Sequence, residues 1–195
     1  EDLIKPRDMV VTLSKEGYVK TQSLDEYRTQ KRGGRGKTAA ATREDDYIQS
    51  LFIAHTHDYV LCFSTLGRMY WLKVYNLPEG SRTTRGKPII NLLPLQMDEK
   101  ITNILPVKDF SEDKFVFMVT EQGVVKKVNL SEFSRPSSRG IIAIGLDDGD
   151  HVAGVELTDG KREIMIFSDG GKAVRFNEEE VRAMGRQARG VRGIK

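Results

Sequence analysis

One pattern recurs four times in this 195-residue chain and restricts its fold more than any other feature. A β-rich run leads into Ser or Thr, two residues, Gly, and then a second β-rich run. The copies are Val10-Val11-Thr12-Leu13-Ser14-Lys15-Glu16-Gly17-Tyr18-Val19, Val60-Leu61-Cys62-Phe63-Ser64-Thr65-Leu66-Gly67-Arg68-Met69-Tyr70, Val116-Phe117-Met118-Val119-Thr120-Glu121-Gln122-Gly123-Val124-Val125 and Ile164-Met165-Ile166-Phe167-Ser168-Asp169-Gly170-Gly171-Lys172-Ala173. Each reads as a β-hairpin whose loop closes on a left-handed glycine, as in a type I turn with a bulge. Gly17, Gly67, Gly123 and Gly171 stand about 50 residues apart, the period of a propeller-like blade.

Two further columns keep the same register. Ten residues after each turn glycine comes an apolar residue: Tyr27, Leu77, Phe133 or Val181. Beyond it follow Arg35-Gly36, Arg85-Gly86, Arg139-Gly140 and Arg189-Gly190. Two more β-type runs separate each Arg-Gly from the next hairpin: 37–42 and 48–54, then 88–93 and 101–107, then 141–146 and 152–157. One unit therefore holds about four short strands, the strand content of a blade. The expectation is an all-β chain of about four blades over 1–195, forming a single domain. Helical evidence is weak: only 177–184 could make a helical turn or two. The chain starts at Glu1 and stops just after the last Arg-Gly, which leads us to expect a fragment of a longer array with neither end closed.

Charge follows the repeat. The formal net charge is only +3 while 30% of residues are charged, so placement matters more than total. The segment 28–43 carries Arg28, Lys31, Arg32, Arg35, Lys37 and Arg43, three glycines and no acid. The later connections carry Arg82, Arg85 and Lys87, then Arg135 and Arg139, then Arg182, Arg186, Arg189, Arg192 and Lys195. No acidic residue occurs in 81–87, 134–140 or 181–195; acids collect at 44–46, 98–99, 112–113, 147–148 and 150. In a radial array equivalent positions of successive units line up. The expectation is a basic stripe with acids kept off it, suited to a curved polyanion. For Arg85 and Arg139 a purely structural use stays open, because arginine stems also pack over neighbouring strands.

Several other features carry no chemistry. Gly36-Lys37-Thr38 ends like a phosphate-binding Walker loop, but the glycine required five residues earlier is Lys31 and no apolar strand precedes it. His55 and His57 share a strand face at i, i+2 without a third ligand, so we read them as satisfied or exposed side chains rather than a metal site. The single Cys62 lies in an apolar run, reads as core, and rules out an internal disulfide. Tyr70, Trp71 and Tyr75 read as core or cross-strand residues. No apolar run approaches a membrane span and no signal peptide is visible.

The core of the first basic segment, Gln30-Lys31-Arg32-Gly33-Gly34-Arg35-Gly36, resembles the gyrase A box of the DNA gyrase A C-terminal domain, without departure at any position. Asp8-Met9-Val10-Val11-Thr12-Leu13 and Asn91-Leu92-Leu93-Pro94-Leu95 resemble the same family. The resemblance implies a β-pinwheel, a propeller-like array whose neighbouring blades exchange a strand. It implies non-sequence-specific binding, bending and wrapping of double-stranded DNA at Gln30, Lys31, Arg32, Gly33, Gly34, Arg35, Gly36 and Lys37 of the box. The rim residues Arg82, Arg85, Lys87, Arg135, Arg139, Arg182, Arg186, Arg189 and Arg192 would join them. It further implies partnership with the rest of gyrase A and with gyrase B, in support of ATP-dependent negative supercoiling. The catalytic tyrosine and the ATP- and Mg²⁺-dependent steps would lie on other parts of that enzyme, so no catalysis or cofactor is expected of this chain. The location implied is the bacterial cytoplasm, at the nucleoid. The A-subunit tail of topoisomerase IV, which usually lacks an intact box, and a propeller devoted to protein–protein binding are the alternatives.

Overall fold

The structure, a computed structural model, describes residues 3–32 and 46–193, with side chains described for all of these except 30–32. In chain order the strands are β1 (Asp8–Ser14), β2 (Tyr18–Ser23), β3 (Ile48–His55), β4 (Tyr59–Ser64), β5 (Arg68–Lys73), β6 (Lys87–Pro88), β7 (Ile101–Val107), β8 (Phe115–Thr120), β9 (Val124–Asn129), β10 (Ile141–Ile142), β11 (Val152–Thr158), β12 (Glu163–Phe167), β13 (Ala173–Asn177) and β14 (Val191–Arg192). One α-helix, α1 (Leu24–Arg32), follows β2.

The four repeated patterns are four hairpins, and their Ser/Thr-x-x-Gly signature has a direct cause. The hydroxyls of Ser14, Ser64, Thr120 and Ser168 accept from the backbone N–H groups of Tyr18, Arg68, Val124 and Lys172, at 3.1–3.3 Å. The N–H of each turn glycine donates to the carbonyl of the same Ser or Thr, at 3.0–3.1 Å. That closure requires φ > 0 at the glycine, and Gly17, Gly67, Gly123 and Gly171 sit at +91°, +79°, +82° and +81°. Alternation along the strands then buries Val11, Leu13 and Val19 in the first hairpin and Val116, Met118 and Val128 in the third.

Strands are exchanged between repeats. Three sheets have four strands, in the orders β3-β1-β2-β6, β10-β5-β4-β7 and β11-β8-β9-β14; the last hairpin, β12-β13, is two-stranded. In each four-stranded sheet the outermost two-residue strand comes from the connection that follows the next hairpin. Thus β6 pairs with β2, β10 with β5 and β14 with β9, all antiparallel. This is the β-pinwheel arrangement.

The chain divides into two compact units, Glu1–Cys62 with Trp71–Lys108, and Phe63–Tyr70 with Asp109–Lys195. In the first unit β1 holds β3 over most of its length. In the second, β8 holds β11, and Phe117, Val125 and Val181 form a core with Ile164, Ile166 and Phe176 packed against it.

Two expectations are corrected. The exchanged segments 88–93 and 141–146 are strand for only two residues or fewer, at Pro88 and at Ile141–Ile142. The chain must then turn inward to cover a hairpin loop: Ile89 N–H donates to the Gly17 carbonyl at 2.8 Å, and the Ala143 and Ile144 N–H groups to that of Gly67 at 2.8 and 3.1 Å. The second correction is α1, where no helix was expected. Ser23 Oγ accepts from Glu26 N–H at 3.2 Å, and Asp25 and Glu26 occupy the first turn. This is an N-cap with acids at the positive end of the helix dipole. Shorter 3₁₀ turns stand at the same place in the other repeats, Val74–Asn76, Leu130–Phe133 and Glu178–Glu180. The last lies within 177–184, the one stretch whose sequence could make a helical turn. Leu77, Phe133 and Val181 of the apolar column end or follow these turns and are buried.

Candidate nucleic-acid interface

The Arg-Gly connections are built on backbone contact. Gly86, Gly140 and Gly190 have φ of +93°, +72° and +87°. A Cβ would lie 2.4 Å from the Val19 carbonyl oxygen at Gly86, 2.6 Å from the Tyr70 ring at Gly140, and 2.5 Å from the Val125 carbonyl oxygen at Gly190. Among the described residues, the third column of the repeat therefore marks where a connection is pressed against the hairpin of the repeat before its own.

Two lysines complete this seat, and neither was singled out from the sequence. Lys20 on β2 and Lys126 on β9 each stand three residues after a turn glycine, and they are 5% and 0% exposed. The Lys20 ammonium donates to the carbonyls of Thr84 (2.8 Å), Ser81 (3.1 Å) and Arg82 (3.5 Å). The Lys126 ammonium donates to those of Arg186 (2.5 Å), Ala188 (2.8 Å) and Ala143 (2.9 Å). Burial lowers both amines, Lys126 to about 8. Their signal was available: a lysine at an inward position of an alternating strand must find acceptors or stay out of the core. In the second hairpin this position is Tyr70, and Arg68 donates instead to the Arg139 carbonyl at 2.9 Å.

The expected rim cations divide into groups. Lys87, Arg135, Arg182 and Arg192 are exposed and make no ion pair among the described residues. Arg139 is exposed with its carbonyl taken by Arg68. Arg82 is half-buried, its carbonyl in the Lys20 cage. Half-buried Arg186 shares an open cleft of about 320 Å³ with Arg135, Ser131, Ser134 and Glu132, so two successive connections supply one pair of guanidiniums.

Arg85 is committed elsewhere. It stacks 3.6 Å over the Tyr18 ring, bonds Glu16 at 2.6 Å and lies 3.7 Å from Asp46. Arg189 pairs with Asp147 at 2.8 Å. The expectation that acids stay away from the basic connections therefore fails at Arg85 and Arg189. Buried Asp46 has a second duty, accepting from the Glu16 and Tyr47 N–H groups at 3.1 and 3.0 Å. Desolvation raises its carboxyl, but bonds from Ser14, Glu16 and Tyr47 and the charge of Arg85 outweigh it and hold the group below its ordinary value. Asp150 does the same for the Gln122 and His151 N–H groups, at 3.0 and 2.9 Å. Two of the acids that collect away from the basic connections, Asp46 and Asp150, thus fasten hairpin turns.

Of the box, Gln30, Lys31 and Arg32 form the end of α1 rather than a loop. Gly33, Gly34, Arg35, Gly36 and Lys37 lie outside the described residues, as do the strand expected at 37–42 and Lys195. His55 and His57 do not share a strand face, since β3 ends at His55 and His57 lies in the turn after it; His57 N–H meets His55 Nδ1 at 3.3 Å, and His57 Nε2 lies 3.0 Å from the Ile4 carbonyl. Cys62 is fully buried, and burial pushes its thiol up to about 12. Among the described residues no helix is long and apolar enough to cross a membrane.

The model of the DNA gyrase C-terminal domain family, described as a beta-propeller, matches residues 8–55, 58–108, 114–159 and 162–195, one match per repeat. The chain belongs to the DNA gyrase C-terminal domain family. It is 60% identical over its whole length to the DNA gyrase A subunit from Haemophilus influenzae, and it spans 22% of that protein. A solved structure of the C-terminal domain of DNA topoisomerase IV matches 99% of this chain and 58% of its own, with 31% identity and a TM-score of 0.84. A solved DNA gyrase A C-terminal domain matches 97% of this chain and 61% of its own, with 27% identity and a TM-score of 0.70. Each of the four segments matched by the DNA gyrase C-terminal domain family holds one of the hairpin patterns and the Arg-Gly that follows it.

Proposed function

We propose that this chain binds, bends and wraps double-stranded DNA without reading its sequence, as the C-terminal module of gyrase A. The observation that carries the reading is a set of exposed cations that make no ion pair among the described residues, Lys87, Arg135, Arg182 and Arg192, on connections whose backbone is seated by left-handed glycines. Arg82, Arg139 and Arg186 join them, with the box residues Gln30 to Lys37 as an anchor at one end. Arg85 and Arg189 contribute through their connections or after giving up their acidic partners. Phosphate contacts of this kind position a duplex but carry no base information. Bending 20–30 bp by 40–90° costs on the order of 1–6 kcal/mol, which counterion release from several neutralised phosphates can offset at modest salt.

In this reading the chain does no chemistry and takes no cofactor. Strand cleavage and ATP hydrolysis belong to the rest of gyrase A and to gyrase B, its proposed partners in the bacterial cytoplasm. The identity of 60% to a gyrase A protein and the unbroken box support gyrase. The fold likeness at a TM-score of 0.84 supports the topoisomerase IV tail as the second reading.

The test is topological. Nicked circular DNA is ligated with the chain bound, and the linking number is compared with that of free DNA. A shift of fixed sign that disappears with added salt is the expected result. Unchanged linking number, with a log–log salt slope near zero, would remove the proposal.

A further inference from the structure

We propose that Lys20 and Lys126 are positioning residues for DNA: each buried ammonium fixes the backbone of one basic connection, and neither touches a phosphate. The inference rests on the DNA-binding reading above and adds how the site is held.

The two lysines occupy equivalent positions in two repeats and do the same thing. Lys20 gathers the carbonyls of Ser81, Arg82 and Thr84 from the connection carrying Arg82, Arg85 and Lys87. Lys126 gathers those of Arg186 and Ala188 from the connection carrying Arg182, Arg186, Arg189 and Arg192, together with Ala143. An ammonium has three donors and no acceptor, so three converging carbonyls satisfy it completely. These carbonyls otherwise belong to irregular backbone, where an unpaired polar group is costly once buried. The cage therefore gives each connection one backbone course. Side chains on a fixed backbone meet phosphates without first ordering the loop, and that ordering cost is what preorganisation removes. A Cβ added at Gly86 or Gly190 would lie 3.0 or 3.1 Å from the Cβ of Lys20 or Lys126, so glycine and lysine form one seat.

A phosphate-contacting lysine, a lysine that only supports the fold, and a positioning lysine give different results. With ~0.9 in log–log salt slope per neutralised phosphate, loss of a direct contact lowers the slope by about one. A fold-supporting lysine lowers the melting temperature and leaves the slope of the folded protein unchanged. A positioning lysine lowers the slope by about two or more, because several arginines lose their places at once.

The experiment compares the whole chain with Lys126→Met and Lys20→Met on one labelled duplex, below their melting transitions. Hydrogen exchange is followed at 181–190 and 81–87 without DNA. The expected result is at least tenfold faster exchange in the matching connection and a slope loss of about two or more. Unchanged exchange, or a slope loss of one or none, overturns the proposal. Amine acetylation of the unsubstituted chain gives a reading that needs no variant. Lys20 and Lys126 should resist the reagent with or without DNA, while exposed Lys87 reacts and is protected by DNA. Reaction at Lys126 that DNA suppresses would also overturn it. If the unsubstituted chain fails to bind DNA, the DNA reading falls, while the exchange data still report on the cages.

Discussion

The connections 81–87 and 134–140 both contain the dipeptide Arg-Gly, Arg85-Gly86 and Arg139-Gly140, and use it differently. In both, the glycine has a left-handed φ and its missing Cβ lets the connection lie against the hairpin of the repeat before its own. The arginines part company. Arg85 is 20% exposed, stacked on Tyr18 and paired with Glu16 beside buried Asp46. Arg139 is exposed and its guanidinium has no ion-pair partner among the described residues. The first connection also rests on the Lys20 cage, where the second has Tyr70 and the Arg68 bond. Within one repeated dipeptide, then, the glycine answers to the backbone everywhere, whereas the arginine answers to whatever stands beside it.

The largest effect should come from the glycines. Gly190→Ala puts a Cβ against the Val125 carbonyl as well as straining φ, and we expect a loss of about 3 kcal/mol or more. Gly171→Ala, with the same sign of φ and nothing within 4 Å, should cost only about 1–2 kcal/mol. Urea denaturation of the two variants checks this, and equal losses would mean that contact with the hairpin is unimportant.

The arginine contrast is tested directly. Arg85→Ala should lower stability by about 1–2 kcal/mol, between an exposed and a buried pair, with little change in salt slope. Arg139→Ala should leave stability within about 0.5 kcal/mol and reduce the slope by about 0.9. Thermal unfolding and salt titrations of DNA binding on both variants decide it; a reversed pattern would refute the contrast.

Alkaline pH distinguishes the lysine-held connections. Lys126 is held at about 8, below its ordinary 10.5. The folded chain therefore sheds this proton before the unfolded chain, so the unfolded state binds more protons in that window and stability rises with pH between about 8 and 10.5. Relative to Lys126→Met, the unsubstituted chain should gain about 1–2 kcal/mol between about pH 7.5 and 9.5. Urea midpoints at the two values measure it, and a parallel response of the two proteins would contradict it.

The smallest effect concerns Arg189 and Asp147, an exposed pair. Asp147→Asn should change stability by less than about 1 kcal/mol and strengthen DNA binding severalfold by freeing the guanidinium. Weaker binding would mean that the pair holds Arg189 in its working place.

The repeat was legible in the sequence because its causes are local. A hydroxyl that accepts from the N–H four residues on, and a glycine that must take φ > 0, are needs of a few consecutive residues, so Ser14 with Gly17 and Thr120 with Gly123 mark hairpins unaided. The Ser23 cap with Glu26 is equally local, so the start of α1 was legible too. The exchange of β6, β10 and β14 entered only through the family resemblance, because a two-residue strand has no periodicity to detect. The partners of the charges could not be read. Arg85 meets Glu16 across 69 positions of sequence, and Lys126 meets Arg186 and Ala188 across 60 and 62. Where the chain turns, and which of its residues carry charge, was therefore written in the order of the residues. Which charges fasten the fold and which face solvent was settled by packing, because a charge takes its role from neighbours that the chain brings together only on folding.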